Sequence, residues 1–469
     1  MTDIVNVLFR QMINIASLHV FIKQLSSFEK NIMKNILLIG AGRSASVLIK
    51  YLLDNSSEEG WKIIVGDISL SLAKQKTGNH PNAFAIVFDV NNELQRSAEI
   101  QKADIVISML PATMHLIVAQ DCLRLKKHLV TASYVSKQMK ELDADVKKAG
   151  LIFLNETGLD PGIDHLSAMK VIDEGKQNGG KLITFKSFCG GLVAPESNDN
   201  PWGYKFTWNP RSVVMAGQSV NQGVISAQYL EKGKCKYVPY DRLFTNTEII
   251  SVDGLGKFEA YPNRDSLSYK ELYKLNDVQN MLRGTLRMPG FCKAWNTFVQ
   301  LGWTDDNCKV TGTKNTTYPE LIEAFLPETK RKNTGVKKSL ANFLNEKESS
   351  PVMKKLEWLG IFKKEKIKIN DASPAEILLN LLMKKWKLKS DDKDMIVMQH
   401  EFEYYFSSRS FRLKGKRKKT HRITSSLIVK GDDQINTAMA KTVGLPLGIA
   451  VKYILNGSIK LLGVQIPIA

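Results

Sequence analysis

Six short apolar runs recur along the first third of the chain, and a stretch with helical spacing separates each run from the next. The runs are NILLI at 35–39, WKIIVG at 61–66, AFAIVFD at 83–89, IVISML at 105–110, HLVT at 128–131 and LIFL at 151–154. Strands that alternate with helices predict an α/β fold whose parallel sheet is wound by right-handed crossovers. We therefore expect a Rossmann-like, doubly wound sheet in this region.

The pattern changes twice in the rest of the chain. Apolar and β-branched runs dominate 181–260, whereas 316–390 contains four stretches with the i, i+3, i+4 apolar spacing of helices. Strand-like patterning returns at 397–406 and 426–429, and 432–456 is helical again. The pattern predicts an α+β region that a small group of helices interrupts.

The composition is that of a globular protein with two or three domains. Of the 469 residues, 43% are hydrophobic and 24% are charged, and a chain of this length exceeds one compact core. The mean hydropathy is −0.18, and no run of roughly 18 apolar residues predicts a membrane span. The five cysteines form neither a CxxC pair nor an even disulfide framework, which favours a reducing, cytoplasmic location.

The charge balance points to acidic ligands. Lys and Arg number 66 against 47 Asp and Glu, a net charge of +19, which attracts anions or polyanions. The densest basic run, RLKGKRKKTHR at 412–422, has no zinc-finger spacing or RNA-binding aromatic signature beside it. We interpret the run as a solvated loop and expect no nucleic-acid partner.

Residues 1–33 have no basic segment followed by an apolar core and a cleavage site, so they do not match a signal peptide. Two interpretations remain open for this extension. It is either a weakly amphipathic leader or the product of a misplaced start codon, with Met33 as the true start.

A glycine-rich turn follows the first apolar run and opens a helical pattern. In dinucleotide-binding units the first glycine permits the tight turn and the second lets the backbone approach a pyrophosphate, while a third small residue packs helix on strand. The helix N-terminus then offers unpaired N–H groups to the phosphates. The turn consists of Gly40, Ala41, Gly42, Arg43, Ser44 and Ala45.

Asp67 stands at the end of the second apolar run, where a carboxylate can accept hydrogen bonds from the adenosine ribose. A 2'-phosphate would be repelled there, so Asp67 favours NAD over NADP, although Arg43 could offset part of the repulsion. The alternative is that Asp67 caps the helix that follows. Because ligands of parallel sheets bind at the carboxyl ends of strands, the ends at Asp89 and Leu110 are also expected to face the cofactor.

Ten further motifs extend through the chain, and together they resemble the saccharopine dehydrogenase family, in particular its glutamate-forming saccharopine reductases. The resemblance covers most of 34–469, with departures at Val193 and Met288 and no counterpart for the first 33 residues. The motifs are TASYV at 131–135, NETGLDPGIDH at 155–165, FCGGL at 188–192, APE at 194–196, DNP at 199–201, YKF at 204–206, YPNRDS at 261–266, RGTLR at 283–287, THRITS at 420–425 and MAKTVGLP at 439–446.

The resemblance implies three structural parts. A dinucleotide-binding Rossmann domain would occupy 34–158 and be completed by 436–469. An α+β substrate domain would occupy 159–315 and be completed by 391–435, with a helical insertion at 316–390. The resemblance also implies a homodimer.

The activity implied by the resemblance is NAD(P)-dependent oxidation at a CH–NH bond in lysine metabolism. Members of the family interconvert saccharopine with L-glutamate and 2-aminoadipate 6-semialdehyde. Saccharopine carries three carboxylates, and arginine binds carboxylates through paired donors. The resemblance implies a substrate site formed by Ser133, Tyr134, Asp160, Arg264, Thr285, Leu286 and Arg287, in which neither Arg264 nor Arg287 should tolerate burial without an anion.

Hydride transfer is performed by the cofactor, so the protein has to align the reacting carbons and handle protons. Asp160 is the strongest candidate for handling protons, because it stands where a strand end meets Pro161 and Gly162 and the resemblance implies that it contacts the substrate. The resemblance implies that Tyr134 and Cys189 also belong to the catalytic site, as orienting groups, since their reference pKa values of about 10 and 8.5 make them weak bases at neutral pH. The alternative for Cys189 is a small buried apolar residue. For the cofactor the strand ends and the resemblance together imply Gly40, Gly42, Arg43, Ser44, Ala45, Asp67, Asp89, Leu110, Ala132 and Leu159.

Several alternatives remain open. Glu156 is either an acid partner of the substrate amine or a structural hydrogen-bond acceptor, and His165 is interpreted as a capping or packing residue rather than a base. The His and Cys residues have no ligand spacing, so no metal is expected. The activity could instead be a reductive amine condensation of polyamine synthesis, of the carboxynorspermidine synthase type, or the chain could be a non-catalytic dinucleotide-binding module.

Overall fold

The computed structural model describes residues 33–218, 226–328, 335–406 and 420–468. The chain divides into two compact units. Unit 1 contains the residues up to Gly162 together with Val443–Pro467, and unit 2 contains Ile163–Thr442. Residues 1–32 of the extension and 412–419 of the basic run lie outside the described residues. The predicted three-part division is finer than these two units and stays a prediction.

Unit 1 contains a parallel sheet of seven strands in the order β16-β6-β5-β4-β1-β2-β3. The order reverses between β1 and β4, as in doubly wound sheets that bind a ligand at this point. The Rossmann-like α/β fold predicted from the alternating runs is therefore confirmed. The strands are β1 (Lys34–Ile39), β2 (Trp61–Asp67), β3 (Ala83–Val87), β4 (Ile105–Ser108), β5 (His128–Thr131), β6 (Ile152–Leu154) and β16 (Gly463–Gln465).

Helices cover both faces of this sheet. In β1, Ile36 and Leu38 belong to one apolar cluster, whereas Leu37 and Ile39 belong to the cluster on the other face. Burial on both faces explains why β1, β4, β5 and β6 are continuous apolar runs rather than alternating ones. The helices of unit 1 before residue 162 are α1 (Ser46–Glu59), α2 (Leu70–Thr77), α3 (Glu93–Lys102), α4 (His115–Arg124), α5 (Lys137–Glu141) and α6 (Asp143–Lys148).

The final helix, α16 (Ala438–Leu455), packs its later turns against α1. A Cβ added at Gly444 would lie 2.7 Å from the backbone nitrogen of Leu48, so glycine permits this close approach. Within the described residues α16 is the one helix long and apolar enough to cross a membrane by length and composition, and 56% of it is buried in the protein. Its Leu447 and Val451 belong to the same apolar cluster as Leu48, so we assign this part of the helix to the core of unit 1.

Unit 2 is built on a mixed sheet of nine strands, ordered β10-β11-β13-β7-β14-β15, with β8, β9 and β12 attached beside β13. Its two longest strands, β7 and β14, pair antiparallel, while β7 and β13 pair parallel. The strands are β7 (Gly180–Val193), β8 (Ala227–Glu231), β9 (Lys234–Val238), β10 (Glu248–Val252), β11 (Gly256–Pro262), β12 (Arg264–Asp265), β13 (Asn280–Arg287), β14 (Asp394–Phe406) and β15 (Thr420–Lys430).

The helices of unit 2 surround an aromatic core. Trp202, Trp295 and Trp386 are fully buried in it, and their rings contact one another or a shared phenylalanine. The helices predicted within 316–390 are present and contribute to this core. They follow one another as α7 (Ile163–Gln177), α8 (Pro210–Val214), α9 (Tyr240–Leu243), α10 (Ser268–Leu272), α11 (Phe291–Gln300), α12 (Tyr318–Phe325), α13 (Val336–Phe343), α14 (Pro351–Leu359) and α15 (Pro374–Lys385).

Candidate active site

The glycine-rich turn has the geometry that a dinucleotide requires. Gly40 has a φ of +102°, and a Cβ added there would lie 3.0 Å from the carbonyl oxygen of Met109. A Cβ at Gly42 would meet nothing within 4 Å, so open space lies over this backbone. Ala45 is buried, and α1 follows with its N-terminus at the turn. The residues present therefore fit a pyrophosphate at this helix end.

Asp67 connects the glycine-rich turn to the helix after β2. One carboxylate oxygen accepts the Ala41 N–H at 2.8 Å, and the other accepts the Ser69 N–H at 2.9 Å. The cap of α2 is Ser69, whose hydroxyl accepts the Leu72 N–H. Asp67 is therefore not the N-cap, and its carboxylate stabilises both loops whether or not a ribose binds.

The other cofactor candidates lie where the topology leads us to expect them. Asp89 follows β3 and accepts the Asn91 N–H at 2.9 Å, while Leu110 is half-buried just after β4. Ala132 follows β5 and contacts the loop after β6, because a Cβ at Gly158 would lie 3.0 Å from the Ala132 Cβ. Leu159 is buried in that second loop. Their contacts with a cofactor stay predictions.

Hydrogen bonds hold the loops after β5 and β6 together. The Tyr134 hydroxyl donates to a carboxylate oxygen of Asp160 at 3.2 Å. Glu156 accepts the Val135 N–H at 3.1 Å, and its own N–H donates to the Ser133 carbonyl at 3.0 Å. This buried glutamate therefore supports the loop as a structural acceptor, one of the two roles that the sequence left open.

Ser133 also belongs to a group of side chains that the sequence analysis missed. The two ring nitrogens of His115 lie 2.8 Å from the Ser108 hydroxyl and 2.7 Å from the Ser133 hydroxyl. Burial lowers the pKa of His115 to about 4, so the imidazole is neutral near pH 7. The signal in the sequence is weak, because a lone histidine at the start of α4 has no recognisable spacing from either serine.

In unit 2, three neighbouring strands place the remaining candidates side by side. Cys189 on β7 is the register partner of Thr285 on β13, which is in turn the partner of Tyr261 on β11. The Tyr261 hydroxyl is hydrogen-bonded to Thr285, and burial raises the pKa of Tyr261 despite the opposing effect of Arg287. Leu286 is fully buried next to Thr285. The sheet thus collects Cys189, Thr285 and Arg287 in one place.

Arg287 is a buried cation among aromatic rings. Its side chain is 5% exposed, and its guanidinium carbon lies 5.2 Å from the ring centre of Tyr204, 5.8 Å from Tyr261 and 5.4 Å from Phe291. One nitrogen donates to the Leu286 carbonyl, while Nε has no hydrogen-bond partner. No carboxylate within the described residues forms an ion pair with it. Such a cation is costly to bury alone and suits an anionic ligand.

Arg264 differs from Arg287 in its surroundings. It is exposed, and its backbone is left-handed with a φ of +51°. It lies close enough to Tyr261 to oppose the rise that burial causes in the pKa of that hydroxyl. The energetic cost of removing one member of a buried charge pair therefore applies to Arg287 with a bound anion, and not to the exposed Arg264.

His165 is a packing residue, as the sequence suggested. It is fully buried, stacks on Tyr269 at 5.3 Å between ring centres and is hydrogen-bonded to Tyr273. Beside it, Asp164 and Arg283 form a buried ion pair at 2.6 Å. Across the described residues, no group of three His, Cys, Asp or Glu side chains could hold a metal ion.

Two family models match the chain. The model described as saccharopine dehydrogenase NADP binding domain matches 36–154, and the one described as saccharopine dehydrogenase C-terminal domain matches 158–469. The chain belongs to the saccharopine dehydrogenase family. The resemblance inferred from the sequence motifs is thereby confirmed.

Relatives in this family match the chain over almost its whole length. The enzyme named saccharopine dehydrogenase [NADP(+), L-glutamate-forming] from Pyricularia oryzae is 35% identical, covering 92% of this chain and 93% of its own. The Saccharomyces cerevisiae enzyme of the same name is 32% identical, with 92% and 94% covered. The crystallised apo, histidine-tagged form of the yeast enzyme has a TM-score of 0.79 at 32% identity, covering 93% of this chain and 94% of its own.

The comparisons change one expectation. The match of 36–154 to a dinucleotide-binding family model supports a nicotinamide dinucleotide as cofactor. That model's description and the relatives' names specify NADP, whereas Asp67 favoured NAD in the sequence analysis. The carboxylate of Asp67 already accepts two backbone N–H groups, so its presence does not by itself require a ribose partner.

Proposed function

We propose that this protein is an oxidoreductase that interconverts saccharopine with L-glutamate and 2-aminoadipate 6-semialdehyde. The observation that carries the proposal is Arg287, a buried guanidinium without a carboxylate partner among the described residues. Saccharopine has three carboxylates, and one of them would complete this charge pair. The named activity of relatives that match over 90% of both chains supports the same substrate, and favours it over an amine of polyamine synthesis.

Substrate binding in this proposal uses the unit 2 strands. The carboxylate on Arg287 would also face Thr285, whose hydroxyl is hydrogen-bonded to Tyr261. Because burial raises the pKa of Tyr261 and of Tyr204, both phenols stay protonated and would act as donors or ring partners rather than as bases. Arg264 would contribute a second, more solvated cation.

Proton transfer in this proposal belongs to Asp160. The secondary ammonium of saccharopine must lose its proton before its lone pair can assist loss of hydride from the carbon on the lysine side, which becomes an imine carbon. Asp160 would accept this proton, and the hydroxyl of Tyr134, 3.2 Å away, would hold the carboxylate in position. Water then adds to the imine, and the protonated Asp160 can return the proton to the leaving nitrogen of glutamate. Cys189 would orient the substrate.

We propose NADP as the cofactor that accepts the hydride in this direction. Besides the names of the relatives, a cation near the glycine-rich turn supports this choice. The Lys76 ammonium is hydrogen-bonded to the hydroxyl of Ser46, the first residue of α1, and has no carboxylate partner in the described part of the chain. Burial lowers the pKa of Lys76, and a phosphate nearby would oppose that shift. Arg43, exposed on the turn, offers a second cation.

The activity is tested by incubating the full chain with saccharopine and either NADP or NAD. Formation of the reduced nicotinamide is followed by absorbance, and the products are identified by mass spectrometry. Glutamate and the semialdehyde in equal amounts, with a higher kcat/KM for NADP, are expected. Cofactor binding without turnover of saccharopine would overturn the proposed activity, and a higher kcat/KM for NAD would overturn the cofactor choice alone.

We also propose a homodimer. Strand β15 forms one edge of the unit 2 sheet and pairs with β14 alone among the described strands. It is 11 residues long, and Ile423 and Ile428 are exposed on it; long open edges of this kind pair with other strands. Light scattering should give a mass twice that of the 52.7 kDa chain, and a concentration-independent monomer would contradict the dimer.

We propose the cytoplasm as the location of the protein. All five cysteines are free, which agrees with a reducing compartment. Fractionation of cells that produce the protein, with antibody detection, tests this location, and recovery in the membrane fraction would contradict it.

A further inference from the structure

Three polar side chains, those of Ser108, His115 and Ser133, form a hydrogen-bonded row in unit 1. Ser108 is the last residue of β4, His115 is the first residue of α4, and Ser133 follows the end of β5. The Ser108 hydroxyl lies 2.8 Å from Nδ1 of His115, and the Ser133 hydroxyl lies 2.7 Å from Nε2. The row therefore joins three separate elements at the edge of the sheet where ligands bind.

The imidazole in this row has two possible arrangements. Its surroundings are hydroxyl groups, since Thr131 is a third neighbour at 3.4 Å from Nε2. Burial keeps the ring uncharged, and a neutral imidazole has one donor nitrogen and one acceptor nitrogen. The choice of donor nitrogen thus determines whether Ser133 receives a hydrogen bond from the ring or gives its own proton to the ring.

The identity of the ligand selects between these arrangements. A hydroxyl that gives its proton to Nε2 can only accept further hydrogen bonds, and it would repel a carboxylate. If Nε2 carries the proton, Ser133 accepts from the ring and its own proton is left for the ligand. Ser108 then donates to Nδ1, which is satisfied as well.

We propose that His115 is a positioning residue for substrate binding, donating Nε2–H to Ser133 so that the Ser133 hydroxyl donates to a substrate carboxylate. The inference rests on the proposed function, because it assumes an anionic ligand at Ser133. It assigns no proton transfer to His115. The residue acts through Ser133, and its effect should be confined to substrate affinity.

The kinetic test compares His115→Phe, Ser133→Ala and the double variant in the full chain. Each single variant should raise KM for saccharopine about tenfold, the scale of one hydrogen bond to a charged group, with kcat and the KM for the cofactor little changed. The double variant should raise KM for saccharopine no more than Ser133→Ala alone does. The proposal would be overturned if the two increases in KM multiply in the double variant, or if KM for saccharopine is unchanged in His115→Phe.

Two further variants separate positioning from a structural role. His115→Gln retains a donor that can reach Ser133, and should recover most of the substrate affinity. His128→Phe is the control, because His128 is another histidine of unit 1, partly buried, whose Nδ1 accepts the backbone N–H of Ile152. If His128→Phe raises KM as much as His115→Phe does, or if His115→Gln recovers nothing, the effect is structural and the proposal fails.

A spectroscopic test does not depend on turnover. Nitrogen-15 spectra of histidine-labelled protein with saccharopine bound and no cofactor added, assigned by comparison with His115→Gln, should show a protonated Nε2 and an unprotonated Nδ1 that do not change from about pH 5.5 to pH 8. The opposite tautomer, or a titrating ring, would overturn the proposal even if saccharopine is turned over. The expected tautomer in a protein without turnover would mean that the proposed activity alone is wrong.

Discussion

Arg283 and Arg287 make a matched pair for testing the proposed carboxylate site. They lie four positions apart on β13, and both are buried, with 3% and 5% of the residue exposed. Arg283 forms an ion pair with the buried Asp164 at 2.6 Å. Arg287 contacts aromatic rings and has no carboxylate partner within the described residues. The same substitution should therefore have opposite consequences at the two positions.

Replacement of Arg287 by Met removes the charge and keeps a long apolar side chain against the rings of Tyr204, Tyr261 and Phe291. Without substrate no ion pair is lost, so the free energy of unfolding should change by less than about 1 kcal/mol or rise. With substrate one partner of a buried charge pair is missing, which costs about 2–5 kcal/mol. At about 1.4 kcal/mol for each factor of ten, KM for saccharopine should rise at least about 30-fold.

Replacement of Arg283 by Met leaves Asp164 buried without its partner. Removal of one member of a buried ion pair costs about 3–5 kcal/mol of stability, so this variant should unfold at a clearly lower denaturant concentration. Urea unfolding of the apo protein and steady-state kinetics with saccharopine measure the two effects. The reasoning is refuted if Arg287→Met destabilises the apo protein as much as Arg283→Met does while KM for saccharopine stays unchanged.

Four other variants test the remaining assignments. Arg264→Ala should raise KM for saccharopine by less than Arg287→Met, because this cation is exposed; an equal or larger increase would contradict this. Asp160→Asn should lower kcat by roughly 100-fold, the scale of general base catalysis, while the protein still binds NADP, as fluorescence titration can measure. Asp67→Ser should increase the ratio of kcat/KM for NADP over NAD, since a like charge near a 2'-phosphate costs about 1–4 kcal/mol at 4 Å; an unchanged ratio would mean that the carboxylate faces away from the ribose. A chain that begins at Met33 should fold and turn over normally, because no motif precedes β1, and insoluble or inactive protein would refute this.

The Rossmann-like sheet of unit 1 could be predicted because its signals are local. Strands β1, β4, β5 and β6 are buried over most of their length, so each is a continuous apolar run that can be recognised without knowing its neighbours. The turn from Gly40 to Ala45 is equally local, since its positive φ and its buried small residue belong to six consecutive positions. The long motifs then identified the family.

Strand β16 could not be predicted in the same way. It is three residues long, Gly463–Gln465, and pairs with Ile152–Leu154 from a distant part of the chain. Three residues contain too little periodicity to indicate a strand. What stabilises it is pairing with β6 and the contact of its Val464 N–H with Asp143 at 2.8 Å, both of which exist only in the folded sheet.

The sequence by itself determined the family and most elements of the Rossmann-like sheet, though not β16, and it supplied the candidate residues of the site. The resemblance implied Arg287 rather than Arg283 for the substrate site, but the sequence could not show which of the two arginines has a carboxylate partner. Only the folding of Asp164 against Arg283 decided which cation is neutralised. In the same way the sequence could not single out His115, whose serine partners come from the ends of two other strands. Charge pairing and hydrogen-bond direction depend on distances of a few ångströms between residues far apart in the chain, and tertiary structure alone sets those distances.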